Sequence, residues 1–230
     1  MFGIIIAMPT EARCFSSSFR EIGKIYKLSD KTLVIVSGMG KQAIEAVETL
    51  LQHGATSLIS CGSAAGLSPH LKSGTLCIPQ KIINAQGETC YCDPGMQEQV
   101  LKNLDNKITV SQGNLAHAIN ILKTQTEKKD LYQISGAEVA DMESFYIGQE
   151  AQRHQIPFIA LRVIIDTFDF DMPERLTQCI SIEGRVSIRK ILINLCKQPR
   201  LLLSLLLLGN NFHKTRKALK NISQIDMFTT

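Results

Sequence analysis

Short apolar runs alternate with helix-patterned segments along this 230-residue chain, and that alternation restricts the folds that the chain can adopt. "GIIIA" near the N-terminus, "TLVIV" from Thr32 and "IPFIALRVIID" ending at Asp166 have the β-branched character of buried strands. A helical pattern with Ile44, Val47 and Leu51 on one face follows the second run. Strands separated by helices pair in parallel, so the pattern predicts one α/β domain.

The same patterns predict individual elements. We expect a strand at 2–7, a helix from Pro9 that buries Ala12, Phe15 and Phe19, and one strand over 75–83. Further along the chain we expect a helix over 114–123, a solvated "TEKKD" segment at 126–130 and an amphipathic helix within 136–154.

Composition and charge exclude several classes of protein. Hydrophobic residues make up 44% and charged residues 20% of the chain, which is an ordinary globular balance. Trp is absent and aromatic residues are few, so we expect no nucleic acid partner. The net charge of +4 is uneven, because residues 184–225 contain nine Lys or Arg and no Asp or Glu.

The seven cysteines are odd in number and scattered, which is typical of reduced thiols in a cytoplasmic protein. Cys90 and Cys92 form a C-x-C motif without a second pair at zinc-like spacing, so we expect no metal site and no cofactor. The apolar start is interrupted by Pro9 and Glu11 and has no basic segment before it, which favours a first strand over a signal peptide.

Three acidic residues, Glu11, Glu143 and Asp166, lie close to predicted strand ends. Glu11 could be a first-turn Glu that the helix dipole favours, and Asp166 could be a helix N-cap. Glu143 shares a helical stripe with Ile147, Ala151 and His154, where an unpaired carboxylate would cost several kcal/mol. At one sheet edge, three such groups could form a pocket for acid and base catalysis, as cleavage of a glycosidic bond requires.

Two turns rich in small residues, "SGMGKQ" from Ser37 and "CGSAAGL" from Cys61, follow predicted strands. Neither turn has the spacing of a dinucleotide-binding or Walker motif. They could be tight turns or could bring the backbone close to a ligand, and the sequence leaves both alternatives open.

"GIIIAMPTEA", "GSAAGL", "ADMESF" and "ALRVIID" occur in the order found in the purine nucleoside phosphorylase and nucleosidase superfamily. The chain resembles its methylthioadenosine/S-adenosylhomocysteine nucleosidase branch over roughly residues 1–195. The segment from "ADMESF" to "FDMPE" resembles most the hopanoid-associated phosphorylases, which are proposed to remove adenine from adenosylhopane. The resemblance implies a single-domain, three-layer α/β/α fold around a central mixed twisted sheet and a homo-oligomer that acts on a small nucleoside.

The resemblance also implies roles for particular residues. Asp166 matches the acid that protonates purine N7, and Glu11 matches the residue that polarises the attacking water, with Ser63 nearby. Met142 and Glu143 match the pair that contacts the ribose. The resemblance also places Ala7, Met8 and Gly62 at the substrate, and it implies that Arg162 is a structural or substrate-edge residue without a chemical step.

The chain departs from that pattern in ways that bear on its substrate. Ile165 replaces the Ser that relatives commonly carry before the catalytic Asp, and residues 90–130 hold no counterpart of the aromatic base-stacking loop. A non-catalytic nucleoside- or lipid-binding module is therefore an alternative, although the three acids favour an enzyme.

Water and phosphate are both open as the nucleophile. Phosphorylases of the superfamily typically carry an Arg where this chain has Ser60 and Cys61, and Glu11 favours water. Arg13 and Lys41 could still bind phosphate, so phosphorolysis is the alternative to hydrolysis.

The last part of the chain is rich in leucine and basic residues. We expect a catalytic domain over 1–197 and a helical tail over 198–230, whose "LLLSLLLL" run is shorter than the ~20 residues that span a bilayer. Such a helix could lie on an anionic membrane surface at the inner face, or could pack in a core or dimer interface.

Overall fold

The computed structural model describes residues 1–105, 108–179, 181, 187–225 and 228. In these ranges the strands are β1 (Phe2–Ile6), β2 (Ile25–Ser29), β3 (Thr32–Val36), β4 (Ser57–Gly66), β5 (Leu76–Cys77), β6 (Lys81–Ile83), β7 (Thr89–Tyr91), β8 (Val110–Ser111), β9 (Leu115–His117), β10 (Val139–Asp141) and β11 (Phe158–Asp166). The helices are α1 (Pro9–Ala12), α2 (Gln42–Gln52), α3 (Pro94–Asn103), α4 (Gln125–Ser135), α5 (Ser144–Arg153), α6 (Glu174–Thr177), α7 (Ile188–Lys197) and α8 (Leu201–Ser223).

Eleven strands of the described chain form one mixed sheet, whose main path runs β2-β3-β1-β4-β10-β9-β6-β7. Its centre is parallel, because β1 pairs with β3 and β4, and β4 pairs with β11. The pairs β2–β3, β4–β10, β5–β11 and β6–β7 are antiparallel. The predicted fold class, an α/β domain built on a mixed twisted sheet, is confirmed.

Strand β4 positions much of the site because it pairs with three strands. Its first half pairs with β1, its length pairs with β11, and its end pairs with β10 at Ala65 and Gly66. Because β1, β4 and β11 run in parallel, the residues at or after their ends meet at one edge of the sheet.

The helices cover the sheet with small and aliphatic side chains. Helix α2 buries Ala43, Ala46, Val47 and Leu50, whereas Ile44 and Leu51, which we expected on its inward face, are only half-buried. Helix α8 packs on β11, where the Thr215 hydroxyl donates to the Ile164 carbonyl at 3.1 Å. In the described ranges, no helix has the length and apolar character needed to cross a membrane.

The segment between β7 and β10 contains the largest errors of the sequence predictions. The helix expected over 114–123 is wrong, because Leu115–His117 forms a buried strand between β6 and β10. The "TEKKD" segment is exposed as expected, apart from the buried Lys128, but it forms the first half of α4. A capping box between Thr124 and Glu127 starts this helix, and Gly136, in the left-handed region at φ 63°, ends it.

Smaller differences concern element boundaries. The "CGSAAGL" segment, expected as a turn after a strand, is instead the second half of β4 as far as Gly66. The single strand expected over 75–83 is two strands, because the chain leaves β11 at Cys77 and reaches β9 only at Ile82. The helix expected within 136–154 is preceded by strand β10 and begins at Ser144. The helix from Pro9 is a single turn. Ala12 and Phe19 are buried as expected, whereas Phe15 is only half-buried.

Candidate active site

A cavity of about 510 Å³ opens at the edge of the sheet where β1, β4 and β11 meet. Eight of the nine residues predicted for the site line this cavity: Ala7, Met8, Glu11, Ser63, Met142, Glu143, Arg162 and Asp166. They follow β1, lie within β4, follow β10 or belong to β11, so the fold brings together residues that are distant in sequence.

Gly62, the ninth predicted residue, lies directly against the charged groups of the site. A Cβ atom at Gly62 would lie 2.7 Å from Arg162 Nη1 and 2.8 Å from Glu11 Oε2. Only glycine permits this approach of the β4 backbone to both side chains.

The Glu11 carboxyl group is buried, and only one of its two oxygen atoms has hydrogen-bond partners. Its Oε1 atom accepts hydrogen bonds from Ser63 N at 3.0 Å and Ser63 Oγ at 2.5 Å. Its Oε2 atom is buried and has no hydrogen-bond partner in the described chain. Burial raises the pKa of Glu11, against the lowering effects of the Ser63 hydrogen bonds and the Arg162 charge. Oε2 is therefore a free acceptor for a polar group.

Arg162 is the buried charged centre of the site, with only 1% of its surface exposed. Its Nε atom lies 2.5 Å from Asp141 Oδ2, and Nη2 donates to Ser60 Oγ at 2.5 Å. Nε also reaches Ser144 Oγ at 3.0 Å, and Nη2 lies 3.6 Å from Glu143 Oε2. Arg162 lines the cavity as predicted, but most of its polar contacts are made within the protein.

Asp141 contacts both Arg162 and the first residue of α5. It ends β10, forms the ion pair with Arg162 and accepts a hydrogen bond from the Ser144 hydroxyl. It also accepts from Ser144 N at 3.3 Å, while the helix N-cap residue is Glu143. Asp141 therefore links β10, α5 and β11 through buried polar contacts.

The Glu143 carboxylate, expected to need a bound sugar, already has protein partners. Gly40 N donates to Oε1 at 2.9 Å from the "SGMGKQ" turn, where Gly40 has a φ of 64°. Burial raises the pKa of Glu143 to about 7, Arg162 opposes this rise and Asp141 adds to it. Ile147 and Ala151 are buried on the predicted stripe, whereas His154 is exposed.

Asp166 ends β11 at the cavity and forms a buried ion pair with Lys128, a residue that we did not predict. Lys128 Nζ lies 2.8 Å from Asp166 Oδ1. Burial raises the pKa of Asp166 to about 6, and the Lys128 charge and hydrogen bond oppose the rise. At this pKa the carboxyl group exchanges its proton close to neutrality.

An apolar wall completes the cavity, and sequence reasoning missed it too. It comes partly from the C-terminal helix and partly from the segment after β9, through Leu205, Leu208, Phe212, Ile121 and Leu122. In α8, Leu201, Leu205, Leu208 and Phe212 recur at helical spacing, which is the signal that could have separated them from the outward leucines.

Two cationic residues proposed for phosphate lie away from the cavity. Neither Arg13 nor Lys41 lines it, and Arg13 Nε donates to the Pro9 carbonyl at 3.3 Å. Cys90 and Cys92 lie in the core, where burial raises the thiol pKa to about 11 and about 12, respectively. Neutral buried thiols are poor metal ligands.

The fold and the cavity define an α/β enzyme whose site carries carboxyl groups at the carboxyl ends of parallel strands. The sequence matches the phosphorylase superfamily over residues 2–185, and the chain therefore belongs to that superfamily. This membership makes it an enzyme that acts on N-ribosyl bonds.

Solved structures of nucleosidases share the fold. The 5′-methylthioadenosine/S-adenosylhomocysteine nucleosidase of Helicobacter pylori, in complex with a substituted pyrrolidin-3-ol, aligns with a TM-score of 0.68 at 17% identity, covering 96% of each chain. The nucleosidase from S. pneumoniae has a TM-score of 0.68 at 14% identity, covering 97% of this chain and 98% of that chain. Futalosine hydrolase of H. pylori has a TM-score of 0.61 at 17% identity, covering 71% and 88%. Comparison with curated protein sequences gave no significant match.

Proposed function

We propose that this protein hydrolyses the N-glycosidic bond of a 5′-substituted adenosine and releases adenine. The observation that carries the proposal is the placement of Glu11, Glu143 and Asp166 around one largely apolar cavity. Cleavage passes through an oxocarbenium-like state, which is stabilised by protonation of the leaving base and by negative groups near the sugar.

Asp166 is the general acid of the proposed reaction. Its carboxylic acid gives a proton to N7 of adenine while the bond between C1′ and N9 breaks, and the bonding electron pair leaves with the base. The desolvated environment of Asp166, with its raised pKa, supports this role, because a carboxyl group at its usual pKa of 3.8 would carry a proton far less often near neutrality.

Glu11 is the base that activates the attacking water. Oε2 is the acceptor for a water proton, while Ser63 fixes Oε1. The water oxygen bonds to C1′ and its proton passes to Glu11, so the products are adenine and the 5-substituted ribose.

In the proposed complex the sugar lies between Asp166 and Glu11. Glu143 accepts hydrogen bonds from the ribose hydroxyls, and Met142 packs on the ring. Ala7, Met8 and Gly62 bring the backbone of β1 and β4 close to the substrate, whereas Arg162 fixes the orientation of Glu143 through its charge.

Two observations favour water over phosphate as the nucleophile. Arg162 is the one Lys or Arg among the described residues lining the cavity, and it is already bound to Asp141 and Ser60. A phosphate dianion would therefore lack a free cationic partner. The related structures that align over the chain are also named as nucleosidases or hydrolases.

The apolar wall supports an apolar 5′ substituent. Leu205, Leu208 and Phe212 offer no hydrogen-bonding side chain, so the wall suits a hydrocarbon or thioether group. We propose adenosylhopane as the substrate, with methylthioadenosine or S-adenosylhomocysteine as the alternative that the named relatives favour.

We further propose that residues 1–197 form the catalytic unit and that the 198–230 tail closes the pocket and holds the protein at an anionic membrane surface. Leu202, Leu203, Leu206 and Leu207 of α8 are exposed, on the side opposite the cavity. Basic residues flank them, and the described residues of α7 and α8 include no Asp or Glu. This combination suits a peripheral position at the inner membrane face. Homo-oligomer formation stays a prediction.

A substrate panel tests the reaction. Purified protein is incubated with adenosine, methylthioadenosine, S-adenosylhomocysteine and adenosylhopane, with and without phosphate, and free adenine and sugar products are quantified. Hydrolysis gives adenine and free sugar at rates that do not depend on phosphate. A phosphate requirement with a sugar 1-phosphate product would establish phosphorolysis. Nucleoside binding without adenine release would point to a binding module.

A further inference from the structure

Lys128 is a fully buried lysine on a helix that is otherwise exposed or half-buried. Its ammonium makes three hydrogen bonds: to Asp166 Oδ1 at 2.8 Å, to the Thr167 carbonyl at 2.7 Å and to the Phe170 carbonyl at 2.7 Å. All three N–H donors of the ammonium are therefore used. A lysine is rarely buried this completely without such pairing.

We propose that Lys128 is a positioning residue for Asp166, which holds the carboxyl group so that Oδ2 faces the substrate and sets the pH range in which it keeps its proton. The inference rests on the proposed role of Asp166 as the general acid. No hydrogen bond from the described part of the chain reaches Oδ2, whereas Oδ1 is bound by Lys128. The group can thus present one fixed oxygen to the base.

The same contacts fix the loop that follows β11. Lys128 binds two carbonyls of this loop, Asp171 Oδ1 accepts from Gln125 N at 2.7 Å, and Met172 N donates to the Lys123 carbonyl at 2.7 Å. The loop and the first turns of α4 therefore form one unit beside the cavity. Lys128 thereby joins α4 to the residues that directly follow Asp166.

Lys128 supplies Asp166 with a hydrogen-bond donor, whereas Ile165, the residue directly before Asp166, does not. Ile165 lines the cavity with an apolar side chain and offers no hydrogen bond to the neighbouring carboxyl group. The donor comes instead from a helix 38 residues earlier in the chain.

The charged groups near Asp166 have opposing effects. Burial, Asp169 and Asp171 raise the pKa of Asp166, and Lys128 lowers it, giving a value of about 6. Helix α8, which packs on β11, turns Leu205, Leu208 and Phe212 toward the cavity and adds no charge there. Removing the ammonium would leave the raising effects unopposed, so the acid would stay protonated to higher pH.

The test compares Lys128→Met with Lys129→Met, its exposed neighbour on the same helix. Carbonyl ¹³C NMR follows the Asp166 titration, assigned by its absence in Asp166→Asn. In parallel, the pH profile of kcat/KM for adenine release is measured. In Lys128→Met we expect both the carboxyl titration and the alkaline limb to move up by about 1 to 3 pH units. We expect kcat at the optimum to fall about 10- to 100-fold, because the acid is misplaced.

Lys129→Met should match the wild type in both measurements. An Asp166 titration that is the same in Lys128→Met and in the wild type would overturn the proposal, whatever happens to the rate. If Lys128→Met does not fold, the wild-type titration decides. A value near 6 supports the proposal, whereas a value near ~8 to 9, typical of a buried carboxyl group without an opposing cation, contradicts it.

The NMR titration does not depend on turnover, which separates the two proposals. If no nucleoside is cleaved, the proposed function fails while the titration still measures the effect of Lys128 on Asp166. If adenine is released but neither titration nor profile moves in Lys128→Met, the role of Lys128 fails alone.

Discussion

At the scale of single residues, the site depends on buried charges that have partners. Arg162 binds Asp141 and lies beside Glu143, and Lys128 binds Asp166. A buried ion that loses its partner retains its desolvation cost, so removing one member of such a pair costs more than the pair contributes. These residues therefore affect both folding and the proposed chemistry.

We expect Arg162→Met to lower the free energy of unfolding by about 3 to 5 kcal/mol, because Asp141 and Glu143 would stay buried without their cation. Arg153→Met is the control, since Arg153 is 72% exposed in its pair with Glu150, and such pairs contribute about 0 to 1 kcal/mol. Urea denaturation measures both. Equal losses in the two variants would contradict the account of the buried centre.

The pH dependence of the wild-type enzyme follows from Asp166. The reactive form is the protonated acid, so kcat/KM should fall about tenfold per pH unit above the pKa of Asp166, which burial raises to about 6. The pH profile of kcat/KM is measured between pH 5 and 9 with a nucleoside that the enzyme cleaves. A kcat/KM that stays constant across the upper half of this range would rule out Asp166 as a titrating acid.

At the scale of elements, α8 has two faces with different surroundings. Leu205 and Leu208 line the cavity, whereas Leu206 and Leu207 are 62% and 49% exposed. A single leucine-rich helix thus contributes to the wall for the 5′ group and also presents an outward apolar surface.

Leu208→Ser should reduce kcat/KM for a nucleoside with an apolar 5′ group about 10- to 200-fold, because one apolar contact in a pocket is worth about 1 to 3 kcal/mol. Its effect on unsubstituted adenosine should be much smaller. Leu207→Ser, one residue earlier and outward, should leave both substrates unaffected. A uniform loss for both substrates in Leu208→Ser would indicate damage to the fold instead.

Strands and helices could be predicted from the sequence where apolar residues repeat with a simple period. The runs of β1, β3 and β11 are largely apolar, so these strands and the acids at or after their ends could be predicted. The second half of β4 consists of small residues, which is why it was expected as a turn. Strand β9 and helix α4 could not be predicted, because β9 has only three residues and the one buried residue of α4 is Lys128. A lysine that is buried by its partners carries no hydrophobic signal in sequence.

The hydrogen-bond and ion-pair partners of the site residues also could not be predicted from the sequence. Spacing gave the position of Glu143 at the start of α5, but its bond to Gly40 joins residues 103 positions apart. The ion pair between Asp141 and Arg162 likewise joins two separate strands, β10 and β11. Long-range pairs of this kind depend on strand order, which periodicity does not specify.

At the scale of the whole molecule, charge is distributed unevenly. The basic residues of α7 and α8 lie in a part of the chain whose described residues lack Asp and Glu, next to the exposed leucines of α8. Attraction to an anionic surface and burial of the leucines would act together there. This surface would place the pocket close to substrates that partition into lipid.

We expect the protein to co-sediment with anionic phosphatidylserine-containing vesicles and to bind neutral phosphatidylcholine vesicles more weakly. The double variant Leu203→Ser and Leu207→Ser should lose most of this binding, and high salt should reduce it. Ile134→Ser, which changes a 74% exposed residue on α4, is the control. Size-exclusion chromatography of the same variants tests the alternative, in which the exposed leucines form an interface between two copies of the chain. A wild-type oligomer that the double variant dissociates, without vesicle binding, would assign the surface to a second copy of the chain.

The most direct test of the central claim is adenine release in phosphate-free buffer by the wild-type protein and by Asp166→Asn, with methylthioadenosine and adenosylhopane as substrates. If Asp166 is the general acid, the wild type releases adenine, and the rate is about 10²- to 10⁴-fold lower in the variant, which cannot donate the proton. No adenine from the wild type with either substrate, or release that is undiminished in Asp166→Asn, would contradict this role.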